Sequence, residues 1–304
     1  MKIRMLPALA AMAAAPLAAQ APAASSAGET GNSGATRAPK FGNARLRTGV
    51  RLHYAQQGAA RGEPLILLHG LADSWFSFSR VMPLLPGSYR VFALDQRGHG
   101  ESDRPASGYT IADFAEDVVA FLDAMEIPRA TLVGHSMGAF VAQRVAIIAP
   151  DRVHRLVLIG GAPSARNEVL LGLQQELAPL PPSMPTEFLQ AFQYGTVHAP
   201  VPKPFMDAVI AESAKVPTRV ARSALDGLLA SGDSSRLADI RLPALLVWGE
   251  HDAIFDAPSR AALREALASE EHRLYPEAGH APHWEVPELF TRDLLGFLGR
   301  TGTR

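Results

Sequence analysis

From residue 46 onward, short apolar runs alternate along the chain with amphipathic stretches. The runs are rich in leucine and β-branched residues and are apolar on both faces, which is typical of parallel strands covered on both sides of a sheet. Six runs are predicted as strands: residues 65–68, 91–94, 130–133, 156–159, 244–248 and 273–275. Helical stretches separate them, and this alternation predicts a doubly wound, mostly parallel α/β sheet.

Two local patterns add detail to this sheet. Residues 45–58 alternate between apolar and polar positions around Thr48-Gly49, which predicts an antiparallel hairpin at the edge of the sheet. Thr110 and Asp113 form a capping-box pattern, and apolar residues follow at helical spacing. A helix is therefore predicted to begin directly after Thr110.

One long stretch breaks the alternation. Residues 163–242 contain many prolines and no good strand, but they include helical patches at 167–177 and 205–215. Long loops seldom lack structure of their own, so this stretch is predicted to be a helical cap over the carboxyl edge of the sheet, inserted between core segments 41–162 and 243–304. Most of its aromatic and methionine side chains are expected in the core of the cap and some above the substrate; they are Met184, Phe188, Phe192, Tyr194, Phe205 and Met206.

The N-terminal residues have the pattern of an export signal. Basic Lys2 and Arg4 precede an apolar run over residues 5–19, which is shorter than the roughly 20 residues that a membrane span needs. Residues 1–23 are predicted to be a signal peptide, with either of two small-residue patterns near its end as the cleavage site. Residues 24–40, rich in Gly, Ser and Ala, are predicted to be a flexible linker. The mature protein is expected to be a periplasmic or secreted bacterial protein without stable membrane insertion.

Composition excludes several classes of protein. The 304 residues are 47% hydrophobic, which excludes intrinsic disorder, and a net charge of -1 offers no overall positive field for nucleic acid. The absence of cysteine excludes a thiol nucleophile and a disulfide framework. The sequence also has no His-x-x-x-His pattern, and its first strand–helix turn lacks Gly-x-Gly-x-x-Gly. No metal, no cofactor and no nucleic-acid partner are therefore expected.

Residues 134–138, Gly-His-Ser-Met-Gly, follow a predicted strand and begin a helical stretch. A sharp strand-to-helix turn of this kind is a nucleophile elbow, with Ser136 at its strained apex. Glycine fits at positions 134 and 138 because a side chain there would collide with the neighbouring strand or helix. The pentapeptide alone is modest support, and the strand before it and the helix after it make Ser136 the candidate nucleophile.

A serine nucleophile needs a base, and the base needs an acid that orients it. In a sheet with a nucleophile elbow the chain order is serine, acid, histidine. Asp252 follows a predicted strand downstream of the cap, and His280 follows the next strand, so both are expected at the carboxyl edge. Glu250 and Asp256 are alternative acids. His283 is an alternative base, for which a supporting or pocket-lining position is the favoured interpretation.

Acyl transfer also needs hydrogen-bond donors for the oxyanion. One backbone N–H is expected from Met137, directly after the nucleophile, and the other from Leu71, in the loop after the first core strand. Gly70 would let the backbone approach closely. Three histidines beside these motifs are interpreted as structural: His69, His99 and His135.

In combination, the motifs resemble the α/β-hydrolase superfamily, in its capped branch of esterases, perhydrolases, C–C hydrolases and lactonases. The motifs that carry the resemblance are His69-Gly70, Asp95-Gln-Arg-Gly-His-Gly100, Gly134-His-Ser-Met-Gly138, Trp248-Gly-Glu-His-Asp252 and Gly279-His280. The resemblance covers about residues 41–298. It implies a catalytic triad and an oxyanion hole at the residues already named: Ser136, His280 and Asp252, with Leu71 and Met137.

A serine nucleophile favours hydrolysis of a carboxylic ester through an acyl-enzyme, on a small to medium, largely apolar small-molecule substrate. Members of the superfamily that act on haloalkanes or epoxides carry aspartate at the elbow instead. C–C bond cleavage, lactone opening and perhydrolysis with the same triad are alternatives, because they differ in cap and pocket residues that the sequence does not place. A non-catalytic binding protein with this fold is a further hypothesis, against which the intact serine, aspartate and histidine argue.

Overall fold

The computed structural model describes residues 38–268 and 271–300. The predicted signal peptide, residues 1–23, lies outside the described residues and stays a prediction, as does the predicted linker as far as residue 37. The first strand begins at Lys40, the last residue of the predicted linker.

One eight-stranded sheet forms the centre of the fold. Its strands are β1 (Lys40–Arg45), β2 (Arg51–Gly58), β3 (Glu63–Leu68), β4 (Tyr89–Leu94), β5 (Ala130–His135), β6 (Val153–Ile159), β7 (Ala244–Gly249) and β8 (His272–Tyr275). Their order across the sheet is β1-β2-β4-β3-β5-β6-β7-β8. Strand β2 pairs antiparallel with β1 and β4, and the strands from β4 to β8 are parallel. The predicted parallel sheet and its antiparallel edge are confirmed.

Nine α-helices accompany the sheet within the described residues. They are α1 (Ile111–Ala124), α2 (Met137–Ile148), α3 (Glu168–Leu177), α4 (Thr186–Tyr194), α5 (Lys203–Ser213), α6 (Thr218–Leu229), α7 (Ala257–Ala266), α8 (Pro282–Glu285) and α9 (Pro287–Leu298). Helix α1 begins where the capping box predicts, because Thr110 accepts a hydrogen bond from the Asp113 N–H and the Asp113 carboxylate accepts one from the Thr110 N–H.

Both faces of the sheet are covered by apolar layers. Successive side chains of a strand point to opposite faces, so Ile66 and Leu68 pack in the layer of α1 and α2, whereas Leu65 and Leu67 pack in the layer of α9. The central runs of these strands, such as residues 65–68, are therefore apolar at successive positions.

Four helices, α3 to α6, lie between β6 and β7, in the segment 163–242 that is predicted to be a cap; the word cap denotes this segment below. Prolines precede three of them: Pro185, Pro202 and Pro217 are the N-cap residues of α4, α5 and α6, with φ of -60°, -55° and -62°. Proline is accepted at the start of a helix because the first N–H groups have no acceptor within the helix. Three of the prolines that argue against strands in this segment thus mark helix starts.

The parallel strands end at one edge of the sheet. Leu68 lies opposite Gly134, Gly134 opposite Leu158, and Gly249 opposite Tyr275. The loops after these strands carry the predicted site residues, as the rule for ligand sites in open α/β sheets requires. Within residues 38–268 and 271–300, no helix combines the length and the hydrophobicity needed to cross a bilayer.

Candidate active site

Ser136 occupies a strained turn between β5 and α2. Its φ of 52° and ψ of -119° lie in a region that residues with a side chain rarely adopt. The turn is tight because a Cβ at Gly134 would stand 2.2 Å from the Gly138 carbonyl oxygen, and a Cβ at Gly138 would stand 2.2 Å from the Leu68 carbonyl oxygen. The two glycines therefore let the strand, the helix and β3 meet beneath the serine.

His280 and Asp252 form a buried pair at the same edge. The Nδ1 atom of His280 lies 2.9 Å from Oδ2 of Asp252, and Oδ1 of Asp252 accepts hydrogen bonds from the backbone N–H groups of Ile254 (2.8 Å) and Phe255 (3.0 Å). Since a carboxylate only accepts, Nδ1 donates and Nε2 is left as an acceptor. That Nε2 atom is buried and has no hydrogen-bond partner among the described residues.

The alternative acids and the alternative base lie elsewhere. Glu250 and Asp256 are exposed, and Asp256 caps α7 by accepting a hydrogen bond from the Ser259 N–H at 3.0 Å. His283 is buried, its Nε2 lies 3.1 Å from the Ser77 hydroxyl oxygen, and burial keeps its pKa well below the ordinary value. The structure thus pairs His280 with Asp252 and leaves His283 beneath the site.

Two contacts that the sequence did not single out hold the loop of His280. Gly160, with φ of 56°, lies against the ring, since a Cβ there would stand 2.6 Å from Cε1 of His280. The His280 N–H donates to the Thr196 carbonyl oxygen at 2.8 Å. The buried histidine is therefore fixed from the core side and from the cap side.

Glu285 ties the same loop to the cap through its carboxylate. The carboxylate accepts hydrogen bonds from the backbone N–H groups of His198 (2.7 Å), Ala199 (2.6 Å) and Gly279 (2.8 Å). Burial raises the pKa of Glu285, and these N–H groups act in the opposite direction. Glu285 is the acid of the Trp284-Glu285 pair that follows His280 in the sequence, but its contacts join segments that are far apart in the chain.

The two predicted oxyanion donors lie beside Ser136. Met137 is the first residue of α2, so its N–H has no acceptor within the helix. Leu71 lies in the loop after β3 and lines the cavity that holds Ser136. A Cβ at Gly70 would stand 3.2 Å from Cβ of Ser136, which shows how closely this loop approaches the serine.

The other histidines near the motifs have neighbours of their own. His69 is buried beneath the loop of Gly70 and Leu71: its Nδ1 bonds to the Gly70 carbonyl oxygen at 2.7 Å, and its Nε2 accepts from the Gln96 N–H at 3.0 Å. Burial lowers the pKa of His69 to about 4 and that of His99 to about 3. Both rings are therefore neutral at neutral pH. His135 bonds through Nε2 to the His280 carbonyl oxygen at 3.2 Å.

Ser136 and His280 line one cavity between the core and the cap, with about 390 Å³ of empty space, part of it open to solvent. The core contributes Gly70, Leu71, Asp73, His135, Ser136, Ile254, His280 and Trp284, and the cap contributes Leu170, Leu173, Phe192, Gln193, Thr196 and Leu228. Of the cap aromatic and methionine residues named from the sequence, Phe192 is among the lining residues. The lining is largely apolar, as in most sites for small molecules.

Asp73 is a further residue that sequence reasoning missed. Its carboxyl is buried in the cavity wall, and its Oδ1 accepts a hydrogen bond from Nε2 of Gln193 at 3.0 Å. Burial raises the pKa of Asp73 to about 7, against the opposing influence of Gln193, His280 and the Gly70 backbone. Within the described part of the chain, no group of three or more His, Asp or Glu residues is arranged to hold a metal ion.

A family model of the alpha/beta hydrolase fold matches residues 63–287, so the chain belongs to this family and is a hydrolase. The chain is 30% identical over 280 residues to a 2-hydroxy-6-oxononadienedioate/2-hydroxy-6-oxononatrienedioate hydrolase of Paraburkholderia phymatum, covering 83% of this chain and 92% of that protein. It is 34% identical over 261 residues to a proposed carbamate hydrolase of Variovorax paradoxus, covering 82% and 96%.

A solved structure is similar in shape. The esterase RhEst1 from Rhodococcus sp. ECU1013 superimposes with a TM-score of 0.73 and 26% sequence identity, over 86% of this chain and 99% of that one. The resemblance drawn from the motifs is therefore confirmed at the level of the family. The relatives differ in the bond that their names say they cleave.

Proposed function

We propose that the protein is a serine hydrolase that cleaves a carboxylic ester of a small to medium, largely apolar substrate. The observation that carries this proposal is that Ser136 and His280 line one cavity, while the Nδ1 atom of His280 is bonded to Asp252 at 2.9 Å. A histidine fixed in this way presents Nε2 as a base towards the cavity.

The reaction follows from these positions. His280 takes the proton of the Ser136 hydroxyl as its oxygen attacks the ester carbonyl carbon, and the backbone N–H groups of Leu71 and Met137 stabilise the oxyanion. The tetrahedral intermediate collapses, the C–O bond to the alcohol breaks, and His280 returns the proton to the departing alkoxide. Water then repeats the sequence on the acyl-enzyme, which releases the carboxylic acid and restores the Ser136 hydroxyl.

The lining of the cavity favours an ester without a carboxylate group over a dicarboxylate. The ionisable side chains among the described lining residues are those of Asp73, His135 and His280, with neither lysine nor arginine beside them. A substrate carboxylate here would meet the Asp73 carboxyl and gain no cation. C–C hydrolysis is the second candidate, because the Paraburkholderia phymatum protein, 30% identical, is named for cleaving a dienedioate.

The test compares wild-type protein with Ser136→Ala and with Ser164→Ala, an exposed serine outside the cavity, as the control. With p-nitrophenyl butyrate, kcat should fall on the order of 10³-fold or more in Ser136→Ala and stay unchanged in Ser164→Ala. Labelling by a fluorophosphonate should also vanish in Ser136→Ala. A wild-type protein that cleaves a 2-hydroxy-6-oxodienedioate but no ester would replace this proposal with the second candidate.

A further inference from the structure

An unexplained carboxyl stands beside the proposed nucleophile. Asp73, which is 4% exposed, lies in the loop after β3 and lines the same cavity as Ser136. Oδ2 of Asp73, Nδ1 of His135 and Cβ of Ser136 each lie 3.2 Å from the point where a Cβ of Gly70 would stand. The carboxyl and the nucleophile therefore flank Gly70 and face the same small space.

The Gln193 amide and the Gly70 backbone are the hydrogen-bonding neighbours of this carboxyl among the described residues. Oδ1 accepts the Gln193 hydrogen bond, whereas Oδ2 lies 3.9 Å from Nδ1 of His135, beyond hydrogen-bond distance. That Nδ1 atom is itself buried without a hydrogen-bond partner among the described residues. A buried carboxylate is costly unless it is paired or fully hydrogen-bonded. The raised pKa of Asp73 is the consequence of that burial.

Holding the cap against the core, through the hydrogen bond from Gln193, does not require a buried carboxyl at position 73. Nε2 of Gln193 donates both to Asp73 and to the Ser213 hydroxyl, at 3.0 Å and 2.8 Å, so the cap side chain has an acceptor within the cap as well. Any neutral acceptor at position 73 would serve the same contact without burying an ionisable group. An ionisable group with a perturbed pKa in a cleft is a candidate for a functional contact.

We propose that Asp73 is a specificity-determining residue, whose carboxyl accepts a hydrogen bond from a hydroxyl or ammonium group that the ester carries close to its scissile carbonyl. The inference rests on the proposed ester hydrolysis and narrows its substrate class to hydroxy- or amino-substituted esters. Such a donor adds a hydrogen bond to the carboxyl from the cavity side, and the apolar remainder of the cavity holds the hydrocarbon part of the substrate.

The test uses four matched esters at pH 8: propyl butyrate, propyl 3-hydroxybutyrate, 2-hydroxyethyl butyrate and propyl 3-aminobutyrate. The first ester carries no hydrogen-bond donor, and the second carries a hydroxyl on the acyl side. The third carries a hydroxyl on the alcohol side, and the fourth carries an amino group on the acyl side. Because a hydrogen bond to a charged group discriminates by about tenfold to a hundredfold, at least one substituted ester should exceed propyl butyrate in kcat/KM by that factor. The preferred ester then identifies the donor and its side.

Two variants distinguish a role of Asp73 in substrate specificity from a role in holding the cap against the core. Asp73→Leu removes the carboxyl, and Gln193→Met removes the cap side chain but leaves the carboxyl in place. The preference should disappear in Asp73→Leu and persist in Gln193→Met, with Asp73→Ala as the second variant if Asp73→Leu does not fold. Equal loss of preference in both variants, or a preference that survives without the carboxyl, would overturn the inference.

The parent ester distinguishes the two proposals. Turnover of propyl butyrate with no gain for any substituted ester refutes the role of Asp73 and leaves ester hydrolysis standing. Absence of turnover with every ester, together with absence of fluorophosphonate labelling, refutes the proposed function itself.

Discussion

Replacing the buried Asp73 carboxyl by an amide should stabilise the protein increasingly as the pH rises. Burial raises the pKa of Asp73 from its ordinary value of 3.8 to about 7. The folded protein therefore holds this proton more tightly than the unfolded chain, so the contribution to stability is complete below about pH 4 and is lost as the pH rises to about 7. One pKa unit corresponds to about 1.4 kcal/mol, so the group should lose about 3 kcal/mol between pH 5 and pH 7.

The assay is the free energy of unfolding in urea, followed by tryptophan fluorescence at several values between pH 5 and pH 8. The amide of D73N keeps an oxygen for the hydrogen bond that Gln193 donates at 3.0 Å. The advantage of D73N over wild type should therefore grow by about 3 kcal/mol across this range and level off above pH 7. The control is D151N, at an exposed aspartate. A pH-independent advantage of D73N, or the same trend in D151N, would contradict this prediction.

Two further predictions concern the loop of His280. His280→Ala should lower kcat on the order of 10³-fold in steady-state assays. His283→Ala removes a buried ring beside Ser77, so it should lower the midpoint of urea unfolding but keep kcat within about tenfold. The reverse pattern would assign the base to His283. Gly160→Ala should lower kcat about a hundredfold, because the added Cβ would stand 2.6 Å from the His280 ring. Gly161→Ala is the control: the atom nearest to its added Cβ is 3.3 Å away, so kcat should change little. Equal kcat in the two alanine variants would show that the His280 ring tolerates displacement.

The strands could be predicted because their signal is local. Each core strand is a short apolar run whose side chains are buried on both faces, and such runs stand out from the polar loops around them. The start of β6 could not be placed in this way. The strand begins at Val153 and includes the buried Arg155, whose guanidinium donates to Glu63 at 2.8 Å, a contact between residues 92 positions apart. The charge of Arg155 is accommodated inside the strand by Glu63, and the pattern of apolar residues does not show so distant a partner.

The candidate site likewise contains residues with a local sequence signal and residues that depend on contacts far apart in the chain. Ser136, Asp252 and His280 follow strand ends, so the order of strands along the chain indicates where they lie, although their catalytic roles stay predictions. Asp73 and Gln193 are 120 positions apart in the chain. Their contact, which places the acidic side chain in the cavity wall, is visible in the folded structure and not in the sequence. A signal was available: an acidic residue directly follows the apolar Leu71-Ala72 pair in the turn after the first core strand. Periodicity likewise separates the faces of a cap helix but does not show which face lies above the serine.

The cap is bonded to the site too closely to act as an independent selector of substrate. Gln193 donates a hydrogen bond to Asp73, which lines the cavity with Ser136, and the Thr196 carbonyl oxygen accepts the His280 N–H at 2.8 Å. Glu285 adds bonds from cap residues 198–199 to the loop of the histidine. Buried polar networks of this kind hold all their members together. Replacing the whole cap by a short loop would therefore loosen the base as well as the pocket. Phe192 lines the cavity and stacks on Phe188 but is not among these bonded residues. Its substitution changes the pocket without removing any of these bonds and is the cleaner probe of substrate selection.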